Sequence, residues 1–202
     1  MGARSRCPDE PIYLEGFVSD ITARKHAEKS LTDANTIINK LIREDPLTGL
    51  ANRRALEEHI VPAMSYARRS DQPLSVVMAD LDRFKAVNDR HGHLTGDQVL
   101  VSFAQMLQVE CRTEDLIARF GGEEFILLLP NTALAQATIL AERLRAHIAQ
   151  ATLPVPEPVT ASFGVTLFVP EDTTESLISR ADRAMYSAKA NGRDRVEVLS
   201  AP

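Results

Sequence analysis

Two apolar runs dominate the chain between residues 70 and 130. "LSVVMAD" (74–80) and "EFILLLP" (124–130) lack the alternation of a half-solvated strand. Runs this short and this apolar predict buried strands. "DLIARF" (115–120) precedes the second run, and two glycines between them predict a hairpin. "VTASFGVTLF" (159–168) and "RVEVLS" (195–200) predict two further strands. Helical spacing appears between the strands. Residues 53–70 predict a helix with Pro62 inside it, and "FKAVNDRHG" (84–92) a short one stopped by Gly92. "TGDQVLVSFAQMLQVEC" (95–111) predicts a longer helix opened by a Thr95–Gln98 capping box. In 132–149, Leu134, Ala137, Ala141, Leu144 and Ile148 trace one stripe. Residues 173–190 predict a last helix, with Asp172 and Glu175 as its capping box.

From residue 74 the order is β-α-α-β-β-α-β-α-β. Without one early helix and the final strand this is β-α-β-β-α-β, the split unit of ferredoxin-like and palm-like α+β folds. The expected core is a central antiparallel sheet flanked by helices, with the helices on one face. The N-terminal 44 residues read differently. "IYLEGFVSDI" (12–21) predicts a strand without a nearby partner, either a docked arm or the tail of a truncated domain. Residues 20–44 hold neither Gly nor Pro, and Ala27, Leu31, Ala34, Ile38 and Leu41 form a heptad seam. Asp20 or Thr22 would cap this helix. The seam favours a two-helix coiled coil over a single amphipathic helix. The expected division is an arm over 1–19, a helical linker over 20–44 and one catalytic-sized domain over 45–202.

Composition narrows the function. The net charge is −5 and the pI about 5.6, which disfavours a nucleic-acid polymer as partner. Cys7 and Cys111 match no metal or disulfide spacing and read as free thiols of a reducing cytoplasm. No apolar run approaches bilayer length and no signal peptide opens the chain, so no membrane contact is expected from this fragment.

The chemistry gathers around "GGEE" (121–124). In a split βαββαβ sheet, the strand ending "ADLD" (79–82) and the hairpin lie side by side, so Asp80 and Glu123 should meet at one edge. Two carboxylates brought together repel unless a cation separates them. Mg²⁺ suits such a site, with the Leu81 carbonyl as a further hard ligand. Gly121 and Gly122 permit a tight turn and let a flat base or phosphate approach the backbone. Taken by itself, the tip is equally consistent with an ordinary hairpin turn carrying solvated carboxylates.

Further motifs resolve that ambiguity. "GGEEF" (121–125) resembles the signature of the GGDEF family of diguanylate cyclases, in its GGEEF variant. "DPLTGLANRR" (45–54), "DLDRFKAVND" (80–89), "GHLTGDQVL" (92–100), "SFGVT" (162–166) and "ADRAMYSAKANGRDRV" (181–196) resemble the family's other motifs in order. The resemblance covers 45–199. It implies a Mg²⁺-dependent enzyme (Mn²⁺ as an alternative) that joins two GTP molecules into cyclic di-GMP, working as a homodimer. Asp80, the Leu81 carbonyl and Glu123 match its metal ligands, and Glu124 is a further ligand or an acid/base group. Asn88 and Asp97 match residues that read the guanine edge, with His93 beside them; Asp97 argues for GTP over ATP. The backbone of Phe84 and Lys85, and the side chains of Lys189 and Arg193, match groups that meet the terminal phosphates. Lys189 and Arg193, spaced i and i+4, are expected on one helix face. "RTED" (112–115) resembles the family's inhibitory motif, so Arg112 and Asp115 would bind cyclic di-GMP. Residues 12–30 resemble the end of a PAS sensor domain and the linker after it. The rival readings are a silent cyclic di-GMP sensor, a scaffold and a different nucleotidyl cyclase.

Overall fold

Eight consecutive buried residues, Leu74–Leu81, form the strand on which the sheet is built. The computed structural model describes Asp20, Thr22, Lys25, His26, Glu28, Lys29 and residues 42–201. Within this range the elements are β1 (Ala51–Asn52), α1 (Arg53–Ser70), β2 (Leu74–Leu81), α2 (Phe84–His91), α3 (His93–Glu110), β3 (Leu116–Gly121), β4 (Glu124–Pro130), α4 (Leu134–Gln150), β5 (Ala161–Leu167), α5 (Thr174–Ala190) and β6 (Val196–Val198). The strands form one sheet in the order β1-β3-β4-β2-β5-β6.

The inner part of that sheet is the expected split unit. β2 pairs antiparallel with both β4 and β5, and β3 pairs antiparallel with β4. Two expectations need correction. The sheet is mixed, because β1 runs parallel to β3 and β6 parallel to β5 at the edges. Helices also cover both faces. Val77, Ala79 and Leu81 of β2 pack with Phe125, Leu127 and Phe163 against α3 and α4. Leu74, Val76 and Met78 point the other way, with Ile126 and Leu128, against α1 and α5. This two-sided burial is why β2 and β4 are continuously apolar instead of alternating. Phe103 of α3 meets Phe125 edge-on at a centroid distance of 5.0 Å, and truncating such a buried ring costs about 3–5 kcal/mol.

Three local details differ from the sequence reading. β1 was not foreseen from the sequence. α3 begins at His93 directly after Gly92 (φ 82°), with no side-chain cap, so Thr95 lies inside the first turn and forms no capping box. α5 is capped by a Thr173–Ser176 pair instead of Asp172–Glu175. Asp172 is instead engaged by the buried Arg180, whose Nη1 donates to Oδ1 at 2.8 Å. α5 lies directly on β5, because a Cβ at Gly164 would overlap Met185 N and Ala181 O. That close approach carries the end of α5 to the end of β2.

Two compact units divide the chain, 1–38 and 39–202. In the first, Thr22, Lys25, His26, Glu28 and Lys29 are helical, and the Thr22 N–H donates to Asp20 Oδ1 at 2.9 Å, the expected N-cap bond. The strand expected over 12–21, but for Asp20, and the seam residues 27, 31, 34, 38 and 41 lie outside the described residues. No helix among the described residues is long and apolar enough to cross a membrane.

Candidate active site

The end of β2, the β3–β4 turn, the first turn of α2 and the end of α5 converge at one edge of the sheet. Asp80 is the penultimate residue of β2 and is 4% exposed. Its cross-strand partner on β4 is Glu124, and Gly122 and Glu123 make the two-residue turn between β3 and β4. Gly122 takes φ 53°, the left-handed conformation such a turn requires. The Leu81 N–H donates to the Glu123 carbonyl at 3.4 Å, tying the turn to β2. Asp80 and the two glutamates are thus brought together, as the topology predicted.

Their electrostatics show the cost of that gathering. Burial pushes the Asp80 carboxyl up to about 6; Lys189 opposes the shift by hydrogen bond and charge, and the charges of Glu123 and Glu124 add to it. Burial also raises Glu124, against the pull of Lys189 and with the push of Asp182 and Glu123. The Lys189 ammonium sits 2.7 Å from Asp80 Oδ2 and offsets part of the repulsion. Among the described residues, no three His, Cys, Asp or Glu side chains converge as a ready-made metal cage. The donor set nevertheless fits magnesium: hard carboxylate oxygens with a backbone carbonyl beside them, at an edge open to phosphates. Mg²⁺ takes one or two carboxylates and fills its remaining positions with water and phosphate, not with an all-protein cage.

Beside this acidic edge lies an anion-binding backbone. Asp82 and Arg83 make the turn into α2, with Arg83 at φ 55°. No side chain caps that helix. Phe84 and Lys85 are its first two residues, where N–H groups have no intrahelical acceptor and the helix dipole favours negative charge. On the same helix Asn88 faces α3. A Cβ on Gly96 would overlap Asn88 Oδ1 and lie 3.2 Å from Phe84 Cζ. Gly96 therefore holds open the space that Asn88 occupies, with Asp97 next in the chain and His93 exposed one turn earlier. An isolated glycine inside a helical pattern was the sequence signal for this role.

Lys189 and Arg193 do not share a helix face. α5 ends at Ala190, and Gly192, Arg193 and Asp194 follow with φ of 120°, 66° and 45°. Asn191 and Gly192 stop the helix before the expected i+4 position. Lys189 reaches Asp80 from the last turn of α5, whereas Arg193 projects from the loop.

Two further groupings were not foreseen. Arg119 donates to both Asp45 carboxylate oxygens at 3.1 Å and to the Gly122 carbonyl at 2.9 Å, so it clamps the turn at 45–48 to the β3–β4 turn. Thr48 also donates to Asp45 through its N–H and its hydroxyl. The second grouping surrounds the expected inhibitory motif. The Arg112 N–H donates to Asp115 Oδ2 at 2.8 Å, and Asp115 N–H returns to the Arg112 carbonyl. Asp115 Oδ1 is buried with no hydrogen-bond partner, and burial raises its carboxyl above the usual range. Arg112 and Asp115 line a cavity of about 220 Å³ with Thr132, Gln136 and Arg143. Arg143 belongs to α4, about thirty residues downstream, and no local pattern linked it to the motif.

Comparison with known proteins follows the same geometry. The family model for "Diguanylate cyclase, GGDEF domain" matches residues 42–195. The "Diguanylate cyclase DgcP" of Pseudomonas aeruginosa is 46% identical over 157 residues, covering 76% of this chain and 23% of that protein. The "Response regulator PleD" of Caulobacter vibrioides is 38% identical over 195 residues, covering 94% of this chain and 43% of that protein. The chain thus spans less than half the length of these relatives. Among solved structures, the coiled coil and GGDEF domain of DgcB from Caulobacter crescentus in complex with c-di-GMP superposes with a TM-score of 0.83. It is 29% identical, covering 88% of this chain and 96% of that one. The active GGEEF domain of a diguanylate cyclase from Vibrio cholerae is 36% identical, with a TM-score of 0.72 over 76% of this chain and 99% of that one.

Proposed function

The chain belongs to the GGDEF family, and from that premise we propose that it condenses two GTP molecules into cyclic di-GMP and two pyrophosphates. The observation that carries the reading is the convergence of Asp80, Glu123 and Glu124 with Lys189, the open N-terminus of α2 and the Asn88–Gly96–Asp97 pocket. Each part matches one part of the nucleotide.

Asn88 and Asp97 present donors and acceptors that suit the N1, N2 and O6 edge of guanine, with His93 at the rim. The Phe84 and Lys85 amides, Lys189 and Arg193 meet the terminal phosphates. Asp80, Glu123, Glu124 and the Leu81 carbonyl would hold Mg²⁺, or Mn²⁺ in its place. When bound, such an ion polarises the α-phosphate, makes the 3′-hydroxyl more acidic and stabilises pyrophosphate as it leaves. Gly121 and Gly122 leave the turn without side-chain bulk over this end of the ligand. Glu124, raised above its usual range, is placed to accept the hydroxyl proton. In each half-reaction a 3′-oxygen to α-phosphorus bond forms and the bond to pyrophosphate breaks. Two facing protomers are required, because each presents one GTP to the other. The linker over 20–44, with its heptad seam in the sequence, would hold them together. Arg112 and Asp115 bind the product: the unpartnered Asp115 oxygen is the acceptor that a guanine N–H would satisfy. The domain would act in the cytoplasm, where GTP is made.

Incubation with GTP and Mg²⁺, followed by mass analysis, tests the reading. Cyclic di-GMP supports it; cyclic GMP, or no product at all, rejects it. A specific activity that stayed constant down to wholly monomeric concentrations would reject the facing-protomer step.

A further inference from the structure

The two aspartates of "ADLD" have separate fates. Asp80 faces the cation side of the site. Asp82, buried at 6% exposure, has no cationic partner among the described residues. Ser162 Oγ donates to its Oδ1 at 2.7 Å, and Thr160 Oγ1 donates to its Oδ2 at 2.7 Å. The Asp194 N–H, 112 residues away, also donates to Oδ2, at 3.0 Å. Asp82's own N–H donates to the Thr160 carbonyl at 2.8 Å. Three of its roughly four lone-pair sites are committed to the protein frame.

The third of these bonds reaches the loop that carries Arg193. α5 has ended by then, so no helix sets the direction of that side chain. The loop instead passes through three successive residues at positive φ, two of them Arg193 and Asp194. L-residues avoid this region, and such a turn persists only where its surroundings over-determine it. Several bonds to the rest of the domain do so here, among them the Arg145 guanidinium, which donates to Asp194 Oδ1 at 2.8 Å. Arg193 N–H donates to the Ala188 carbonyl at 2.9 Å, and Phe163 N–H donates to the Arg195 carbonyl at 2.9 Å. The Asp82 carboxylate accepts a further, charge-assisted bond from the backbone of Asp194, the residue immediately after Arg193. The same aspartate is two residues from Asp80 and one from the turn into α2. It therefore sets Arg193 in register with both the acidic edge and the amides of Phe84 and Lys85. A cavity of about 350 Å³ lies over this junction, with Asp82, Arg83, Arg193 and Asp194 in its wall.

We propose that Asp82 is a positioning residue: by binding the Asp194 N–H it fixes the left-handed loop that aims Arg193 at the terminal phosphates of GTP. The proposal rests on the reading of Arg193 given above. It predicts a defect confined to the phosphate end of the ligand. A residue needed only for folding would weaken every ligand alike.

The experiment compares the full chain with Asp82→Asn, Arg193→Ala and the double variant. Affinity is measured in magnesium for a 3′-deoxy GTP analogue, which cannot turn over, and for GMP, which lacks the terminal phosphates. Asp82→Asn should weaken the triphosphate roughly tenfold, the scale of one misplaced charge-assisted contact. GMP, held through Asn88 and Asp97, should change by less than about twofold. In the Arg193→Ala background, Asp82→Asn should cause no further loss, since the two act through one contact. Equal weakening of both nucleotides overturns the proposal, as does a multiplicative loss in the double variant. If Arg193→Ala weakens the triphosphate while Asp82→Asn binds it as the parent does, the proposal alone falls. If Arg193→Ala has no effect, the phosphate reading of Arg193 falls first and takes the proposal with it. Ser162→Ala removes one bond to Asp82 and keeps the carboxylate. Should Asp82→Asn fail to fold, the same selective loss in Ser162→Ala, smaller in size, decides the matter, and an unselective or absent effect overturns it.

Discussion

Asp80→Asn should stabilise the protein while destroying its activity. The Asp80 carboxyl is 4% exposed and is raised from 3.8 to about 6, chiefly by burial, with Lys189 opposing and the two glutamates adding to the shift. The folded protein therefore holds this proton more tightly than the unfolded chain does. Between about pH 4 and pH 6 the native state binds more protons, so stability falls as pH rises through that window. A shift of roughly 2 units corresponds to about 3 kcal/mol, fully imposed at neutral pH. Asparagine has nearly the same shape and no charge to desolvate. Lys189, 29% exposed at its side chain, is left with water to solvate it. For a domain of this size, about 3 kcal/mol corresponds to a melting temperature higher by roughly 5–10 °C. Calorimetric melts of both proteins, from about pH 4 to pH 7.5 without divalent cations, measure the difference. The variant should melt higher near neutrality, with the gap closing toward acid, because wild-type Asp80 is then protonated. A less stable variant at neutral pH, or a gap independent of pH, would refute the reasoning. Magnesium should raise the melting temperature of the wild type and leave the variant nearly unmoved, since the ion offsets the repulsion at Asp80. A carboxylate this costly belongs where function requires it.

Other perturbations separate the parts of the site. Gly96→Ala should raise the KM for GTP several-fold by displacing Asn88, while the melting temperature changes little, because alanine gains about 1 kcal/mol of helix propensity; an unchanged KM would deny Asn88 its place in the pocket. Arg143→Ala should weaken inhibition by cyclic di-GMP roughly tenfold through loss of a charge-assisted contact, with kcat measured at low product unaffected. Asp45→Asn removes the two-pronged acceptor of Arg119 and should cost about 1–2 kcal/mol in denaturant unfolding. The folded Asp45 is held below the usual range, since Thr48 and Arg119 outweigh its burial. Its contribution is therefore present above the ordinary carboxylate pKa and is lost as pH falls, so parent and variant should converge in acid.

Much of the site is visible without coordinates. The paired apolar runs announced a buried β2–β4 centre, though not that helices would cover both of its faces. The split order of elements then predicted that Asp80 would meet the glycine-rich turn. Co-linear motifs singled out Asn88, Asp97, Lys189 and Arg193. Helix spacing assumed that α5 continued to Arg193, but Asn191 and Gly192 end it at Ala190. Capping boxes inferred from residue type failed at Thr95 and Asp172, because Gly92 links two helices directly and Asp172 is drawn to Arg180.

Sequence by itself determined most element types and the family, because apolar periodicity and motif order are local and ordered properties of the chain. Tertiary structure alone decided which groups meet across long separations. Arg143 joins Arg112 and Asp115 because α4 packs beside α3 and Arg143 pairs with Glu110 at the end of α3, and Lys189 reaches Asp80 because Gly164 lets α5 lie on β5. Arg119 reaches Asp45, and Asp82 reaches Asp194, across 74 and 112 residues. Such contacts depend on strand order and helix packing, which no window of neighbouring residues contains.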